Sequence, residues 1–256
     1  MNYGKTRIVL CENENDLGAK AARAVSGKMR ERLRLRNEIH MIFAAGESQI
    51  TFLNALAQES NIDWSRVVCF NMDDFWDARI PDRYTCGYQT CKQLYDKVQP
   101  KAFHLVQFNA RDPYEEARRF ESLLRSVGKI DILCQGIGTS GHLALNEPFQ
   151  TDFSDPLWVR VVDIAEQSKR QLREDPNFKD LGYIPDKGIT MTIPALLSAE
   201  NVYTQVPLGL KRDILTRLFQ TPEPTASLPA SILRTVDGTL FVDRNSCPSD
   251  LLFASV

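Results

Sequence analysis

The chain has 256 residues, 43% of them apolar and 25% charged, with 31 basic against 33 acidic side chains and a net charge of −2. That balance is ordinary for a globular protein, long enough for one large α/β domain. It argues against a nucleic-acid or membrane-surface partner, either of which needs a basic face. No apolar run reaches membrane-spanning length, and the N-terminus turns acidic by Glu12 without a signal-type apolar core. The six cysteines stand apart, with no C-x-x-C pair, and only three histidines accompany them. The expectation is a reduced, cytoplasmic protein with no structural metal.

In chain order, Arg7 to Cys11 reads as a strand, and Asn13 or Asn15 can cap a helix running from about Asp16 to Arg34. His40 to Ala45 is a second strand. Gly46-Glu47-Ser48-Gln49 then turns into a helical pattern at Ile50 to Leu56. A strand, a small-residue turn and a helix start make an anion site, to which Ser48 adds a hydroxyl unless it serves only as a cap. Val67 to Met72 is a third strand ending in Asp73-Asp74, a general-base candidate or a turn pair. Pro81 to Gly87 reads as a loop, Tyr88 to Val98 as a helix, Phe103 to Phe108 as a strand and Pro113 to Val127 as an amphipathic helix.

Ile130 to Cys134 is a short buried strand that enters a glycine loop, with His142 and Glu147 just beyond. A titratable pair at the C-terminal end of a strand is where open α/β sheets place their sites. Gly136 to Gly141 matches the dinucleotide fingerprint, but that motif needs a long helix after its third glycine, and Pro148 intervenes. Further on, Val159 to Val162, Gly188 to Ile193, Asn201 to Val206 and Leu240 to Val242 read as strands, the last closing the sheet. Short helices are expected after Pro194 and over Lys211 to Phe219, while Gln167 to Asp180 is charged and gives no clear pattern. Alternation of strands and helices predicts a single-domain, Rossmann-like α/β fold, a largely parallel sheet with helices on both faces.

Several stretches together resemble the glucosamine-6-phosphate deaminase (isomerase) family, within the wider fold that also holds the 6-phosphogluconolactonases. Phe70-Asn71-Met72-Asp73-Asp74-Phe75 is similar to its N-M-D-E-Y segment, and Gly136 to Pro148 to its G-x-G-x-[DN]-G-H-[IL]-A-F-N-[ED]-P segment. Thr190 to Leu197, Pro207 to Arg212, Pro229 to Leu233 and Phe241 to Asp243 match later family segments. The resemblance implies an aldose–ketose isomerisation of a hexosamine 6-phosphate with loss of ammonia. It implies Asp73 as the base between C1 and C2, and His142 as the ring-opening group, oriented by Glu147 and tuned through position 140. It implies that Ala45, Gly46, Glu47, Ser48, Gly138 and Lys211 hold the phosphorylated substrate, with Arg170 a further phosphate contact. The implied partner is a small-molecule sugar phosphate, and a homo-oligomer is left open.

Three departures stand out. Ser140 replaces the family's acidic or Asn residue, Glu47 brings a negative charge to the phosphate turn, and Leu145 replaces an aromatic. The first leaves open a slower deaminase, a lactonase or isomerase on another sugar phosphate, or a protein that only binds one.

Overall fold

In the computed structural model, which describes residues 1–174 and 178–249, the chain alternates strand and helix around one dominant sheet. In order these are β1 (Asn2–Tyr3), β2 (Thr6–Cys11), α1 (Glu14–Leu35), β3 (Ile39–Phe43), α2 (Ile50–Leu56), β4 (Val67–Asn71) and β5 (Asp73–Trp76). There follow α3 (Cys86–Thr90), α4 (Asp96–Val98), β6 (Ala102–His104), α5 (Pro113–Ser126), β7 (Ile132–Gln135) and β8 (Val159–Asp163). The chain continues through α6 (Glu166–Glu174), β9 (Lys187–Met191), α7 (Ile193–Leu196), β10 (Asn201–Val206), α8 (Arg212–Gln220) and β11 (Gly238–Asp243). Among the described residues no helix is long and apolar enough to cross a membrane.

The sheet runs β1-β2-β11-β10-β7-β3-β4-β6 and is parallel throughout except for the short β1 edge. Its strands alternate between two apolar layers, as the two-residue period of a pleat requires. Met41 and Phe43 of β3 face α1 and α2, where Leu17, Ala21, Val25, Phe52 and Leu53 pack. Ile42 of β3 and Phe70 of β4 face the opposite layer, with Phe120 of α5 and Leu215 of α8. Local chemistry starts the helices where the sequence predicts. Asn13 accepts from the amides of Asn15 and Asp16, and Asp112 from those of Tyr114 and Glu115 with Pro113 in the first turn.

Several boundaries differ from expectation. β11 does not close the sheet but lies inside it, between β2 and β10. Of the expected Phe103–Phe108 strand only Phe103 and His104 pair with β4, in a strand that begins at Ala102, because the backbone then leaves the ladder for the loop before α5. The helix expected from Tyr88 begins earlier, at Cys86, and passes through a π-helical turn at Cys91–Tyr95. The patternless charged stretch forms α6 as far as Glu174, and its residues 175–177 lie outside those described.

The largest difference is a second, antiparallel sheet, β5-β9-β8, that two-residue periodicity alone cannot separate from the first. Met72 joins the two. Its amide donates to the carbonyl of Phe43 on the main sheet (3.1 Å), and its own carbonyl accepts from Met191 on the small one (2.8 Å). One peptide therefore carries the chain from the C-terminal rim of the parallel sheet into β5.

Candidate active site

The C-terminal rim of the parallel sheet opens into a cavity of about 200 Å3 between the two sheets and α6. Three regions distant in sequence meet there: the turn after β3, the start of β5 with Cys86 and Gln89 of α3, and the glycine loop after β7. Lys211 enters from the loop after β10.

The aspartate pair is split by the pleat of β5, which sends consecutive side chains to opposite sides. Asp73 lines the cavity, and Asp74 points away from it. The Asp74 carboxylate accepts from the amides of Phe75 (2.9 Å), Cys86 (3.0 Å) and Gly87 (2.8 Å), so it fixes the first turn of α3. Burial pushes the Asp73 carboxyl up to about 6, against the opposing pull of His142 and of a hydrogen bond from the Cys86 thiol. A carboxylate poised there exchanges protons readily near neutral pH.

The glycine loop holds His142 in one orientation. No helix follows Gly141; the chain bends back through a bridge between Leu143 and Asn146, which removes the context a dinucleotide site requires. The imidazole lies directly over Gly138, where a Cβ would fall 2.0 Å from Nε2, so only glycine leaves room for the ring. Behind it, Nδ1 is 3.1 Å from Oε1 of Glu147 and 2.9 Å from the Ser140 hydroxyl. Ser140 donates its single hydroxyl proton to Oε2 of Glu147 at 2.7 Å. Its oxygen must therefore accept from Nδ1–H, which fixes the tautomer and leaves Nε2 as the bare nitrogen. Burial alone would push the Glu147 carboxyl up. The hydrogen bond and electrostatic pull of His142, with the Ser168 and Ser140 hydroxyls, outweigh it and bring it down to about 2. Ser140 and Glu147 themselves sit behind the imidazole, not on the cavity wall.

The cavity is also lined by the turn after β3 and by a buried lysine. Gly46 takes φ = +97°, a left-handed conformation suited to glycine, and Glu47–Gln49 form a single tight turn whose first amides have no side-chain cap. Ser48 does not cap α2. Instead its hydroxyl accepts from the Gln49 amide group at 3.1 Å and lies beside Gly136. Lys211 is buried with no carboxylate within ion-pair distance among the described residues, and burial pulls its amine down to about 8, with the charge of Glu47 opposing. A lysine in that position is costly unless an anion arrives. Leu208, in the same loop, takes φ = +80°, a strained conformation worth of order 1–3 kcal/mol.

Asp73, His142, Ala45, Gly46, Glu47, Ser48, Gly138 and Lys211 therefore surround one cavity. Arg170 does not. It is exposed on α6, because the inward face of that helix is set by Ser168, Gln171 and Leu172 at three- and four-residue spacing, and position 170 falls on the other side. Ser168 and Gln171 are wall residues that sequence reasoning misses, since their segment carries no apolar periodicity. Cys86 and Gln89 are missed because nothing in their local pattern points inward. Among the described residues no cluster of His, Cys, Asp and Glu could hold a metal ion.

The chain is similar to known proteins over most of its length. Residues 12–242 match the model of the glucosamine-6-phosphate isomerases/6-phosphogluconolactonase family. A glucosamine-6-phosphate deaminase of Shouchella clausii is 30% identical over 232 residues, spanning 88% of this chain and 90% of that protein. One from Streptococcus agalactiae is 26% identical over 96% of this chain and its own full length. A solved monomeric glucosamine-6-phosphate deaminase of the NagB superfamily superposes with a TM-score of 0.81 at 23% identity, covering 94% of this chain and 98% of its own. The 6-phosphogluconolactonase of Thermotoga maritima superposes with 0.72 at 19% identity, covering 93% and 99%. With its motifs gathered at one sheet rim and 231 consecutive residues under one family model, the chain belongs to the glucosamine-6-phosphate isomerase/6-phosphogluconolactonase family.

Proposed function

We propose that this chain is a cytoplasmic glucosamine-6-phosphate deaminase, converting glucosamine 6-phosphate and water to fructose 6-phosphate and ammonia. The observation that carries the reading is the meeting of a buried aspartate, a tautomerically fixed imidazole and a buried lysine with no ion-pair partner among the described residues, all around one cavity. The curated relatives that carry the same activity in their names support it.

In this reading the phosphate rests on the Gly46–Ser48 turn and Lys211, which supply remote binding energy to orient the sugar. Nε2 of His142 takes the proton of the anomeric hydroxyl as the C1–O5 bond opens and passes that proton to O5. Asp73 removes the proton from C2 of the open aldose as O1 takes one from the C2 ammonium, and the same carboxyl then returns its proton to C1. The C2 nitrogen is left as an imine, to which water adds before ammonia departs. Glu147 and Ser140 act through the imidazole and do not touch the sugar. No metal or organic cofactor takes part.

The test is the release of ammonia and fructose 6-phosphate by pure protein. Absence of turnover across a panel of amino-sugar phosphates rejects the reading. Hydrolysis of a 6-phosphogluconolactone that survives Asp73→Asn would favour a lactonase instead, because that chemistry moves no carbon-bound proton.

A further inference from the structure

Glu147 is almost wholly buried and has four oxygen lone-pair sites to satisfy, yet the glycine loop provides only two of its partners, Ser140 and His142. The third comes from elsewhere. Ser168, on the first turns of α6 and itself buried, donates its hydroxyl to Oε1, the same oxygen that faces Nδ1 of His142. One helical turn later, Gln171 accepts from the hydroxyl of Thr139. The inward face of α6 is thus tied to the glycine loop near both of its ends, at residues 139 and 147.

We infer that Ser168 is a positioning residue for the proton-transfer machinery: its hydroxyl pins Oε1 of Glu147, and through that oxygen it sets the orientation of the His142 ring over Gly138. The inference rests on the deaminase reading for its kinetic consequence but not for its structural one. Without the Ser168 hydroxyl, Oε1 keeps only the imidazole as partner. The carboxylate is then free to swing about the bond to Ser140, and the ring follows it. Nε2 no longer rests at one place relative to the cavity. Among the described residues neither the Gly46–Ser48 turn nor Lys211 hydrogen-bonds to Ser168 or Glu147, so the proposed phosphate contacts are untouched.

The chain has three histidines, His40, His104 and His142, so the ring nitrogens give three pairs of signals, of which the His142 pair is assigned by its loss in His142→Gln. In Ser168→Ala the His142 signals move while those of His40 and His104 stay, kcat falls about tenfold and KM stays within about twofold. Ser168→Thr keeps the hydroxyl and recovers most of both changes. Unmoved His142 signals in Ser168→Ala overturn the inference whether or not the wild type turns over glucosamine 6-phosphate. A kcat loss that Ser168→Thr fails to recover overturns it as well. If Ser168→Ala disturbs all three imidazoles, Ser168→Cys decides, since a thiol fills the space but donates weakly: His142 moving alone supports the assignment, and no movement rejects it.

Discussion

The hydroxyl of Ser140 stands 2.9 Å from Nδ1 of His142 and spends its only proton on Glu147. The position at which family members carry an acidic or Asn residue thus still links imidazole and carboxylate, but without charge. Ser140→Ala removes an acceptor from Nδ1–H and a donor from a buried carboxylate at once. The expected loss in kcat is about tenfold or more, with KM little changed, in steady-state assays on glucosamine 6-phosphate. An unchanged kcat would show that Glu147 alone aligns the ring.

Asp73 yields a prediction in which stability and activity move apart. Its carboxyl is held near 6 in the fold, against about 3.9 in an unfolded chain. Below the unfolded value both states are protonated and the group contributes nothing. As pH rises from about 4 to 6 the unfolded chain releases its proton first, and the folded state loses about 2–3 kcal/mol. Asp73→Asn therefore melts higher than wild type at pH 7 to 8 and nearly level with it at pH 3.5. The same substitution lowers kcat by about 10²–10⁴, the range of a general base. Wild-type activity declines below about pH 6 as the base becomes protonated.

Lys211 carries the opposite sign. Its amine titrates near 8 in the fold and near 10.4 when unfolded. Folding is therefore penalised as pH falls through that window, and the penalty is fully present at pH 7. Lys211→Met raises the melting temperature of the free protein at pH 7 and raises KM for the sugar phosphate about ten- to a hundredfold. Inorganic phosphate stabilises the wild type in thermal melts and leaves Lys211→Met unmoved. Equal stabilisation of both proteins would remove the lysine from the anion site.

Gly138 tests the imidazole's seat. A methyl group at this position would meet the ring at 2.0 Å, and that ring is the nearest obstacle. Gly138→Ala is expected to fold, to keep KM within a few-fold and to lose about a hundredfold in kcat, because displacement of a catalytic group by about an ångström has that effect. Circular dichroism and steady-state kinetics on the same sample check it.

Much of this was legible in the residues because the site is made of sheet-rim loops, and such loops carry glycines, short hydroxyl side chains and charges in recognisable order. Asp73, His142 and Lys211 stand out in that way. Arg170 does not meet the cavity because one position of offset on a helix turns a side chain by about 100°, and the charged stretch around it offers no apolar stripe to set the phase. Ser168 escapes notice for the same reason. The aspartate pair reads in sequence as a general-base candidate or a turn pair, and the pleat of β5 turns Asp73 to the cavity and Asp74 to the first turn of α3. The antiparallel second sheet was hidden because strand periodicity reports which residues are buried, not which neighbour they pair with.

Met72 has a further consequence. Asp73 belongs to one sheet and the His142 imidazole to a loop of the other; Met72 hydrogen-bonds to both sheets, and the loop after β7 bonds to β9 through Leu145 and Asn146. The span between the Asp73 carboxylate and the imidazole is thus a dimension of that seam. Packing changes remote from any substrate atom, wherever they tilt one sheet on the other, retune the reach between proton donor and acceptor. Relatives handling sugars of different length could arise by adjusting the joint while leaving every reactive group in place.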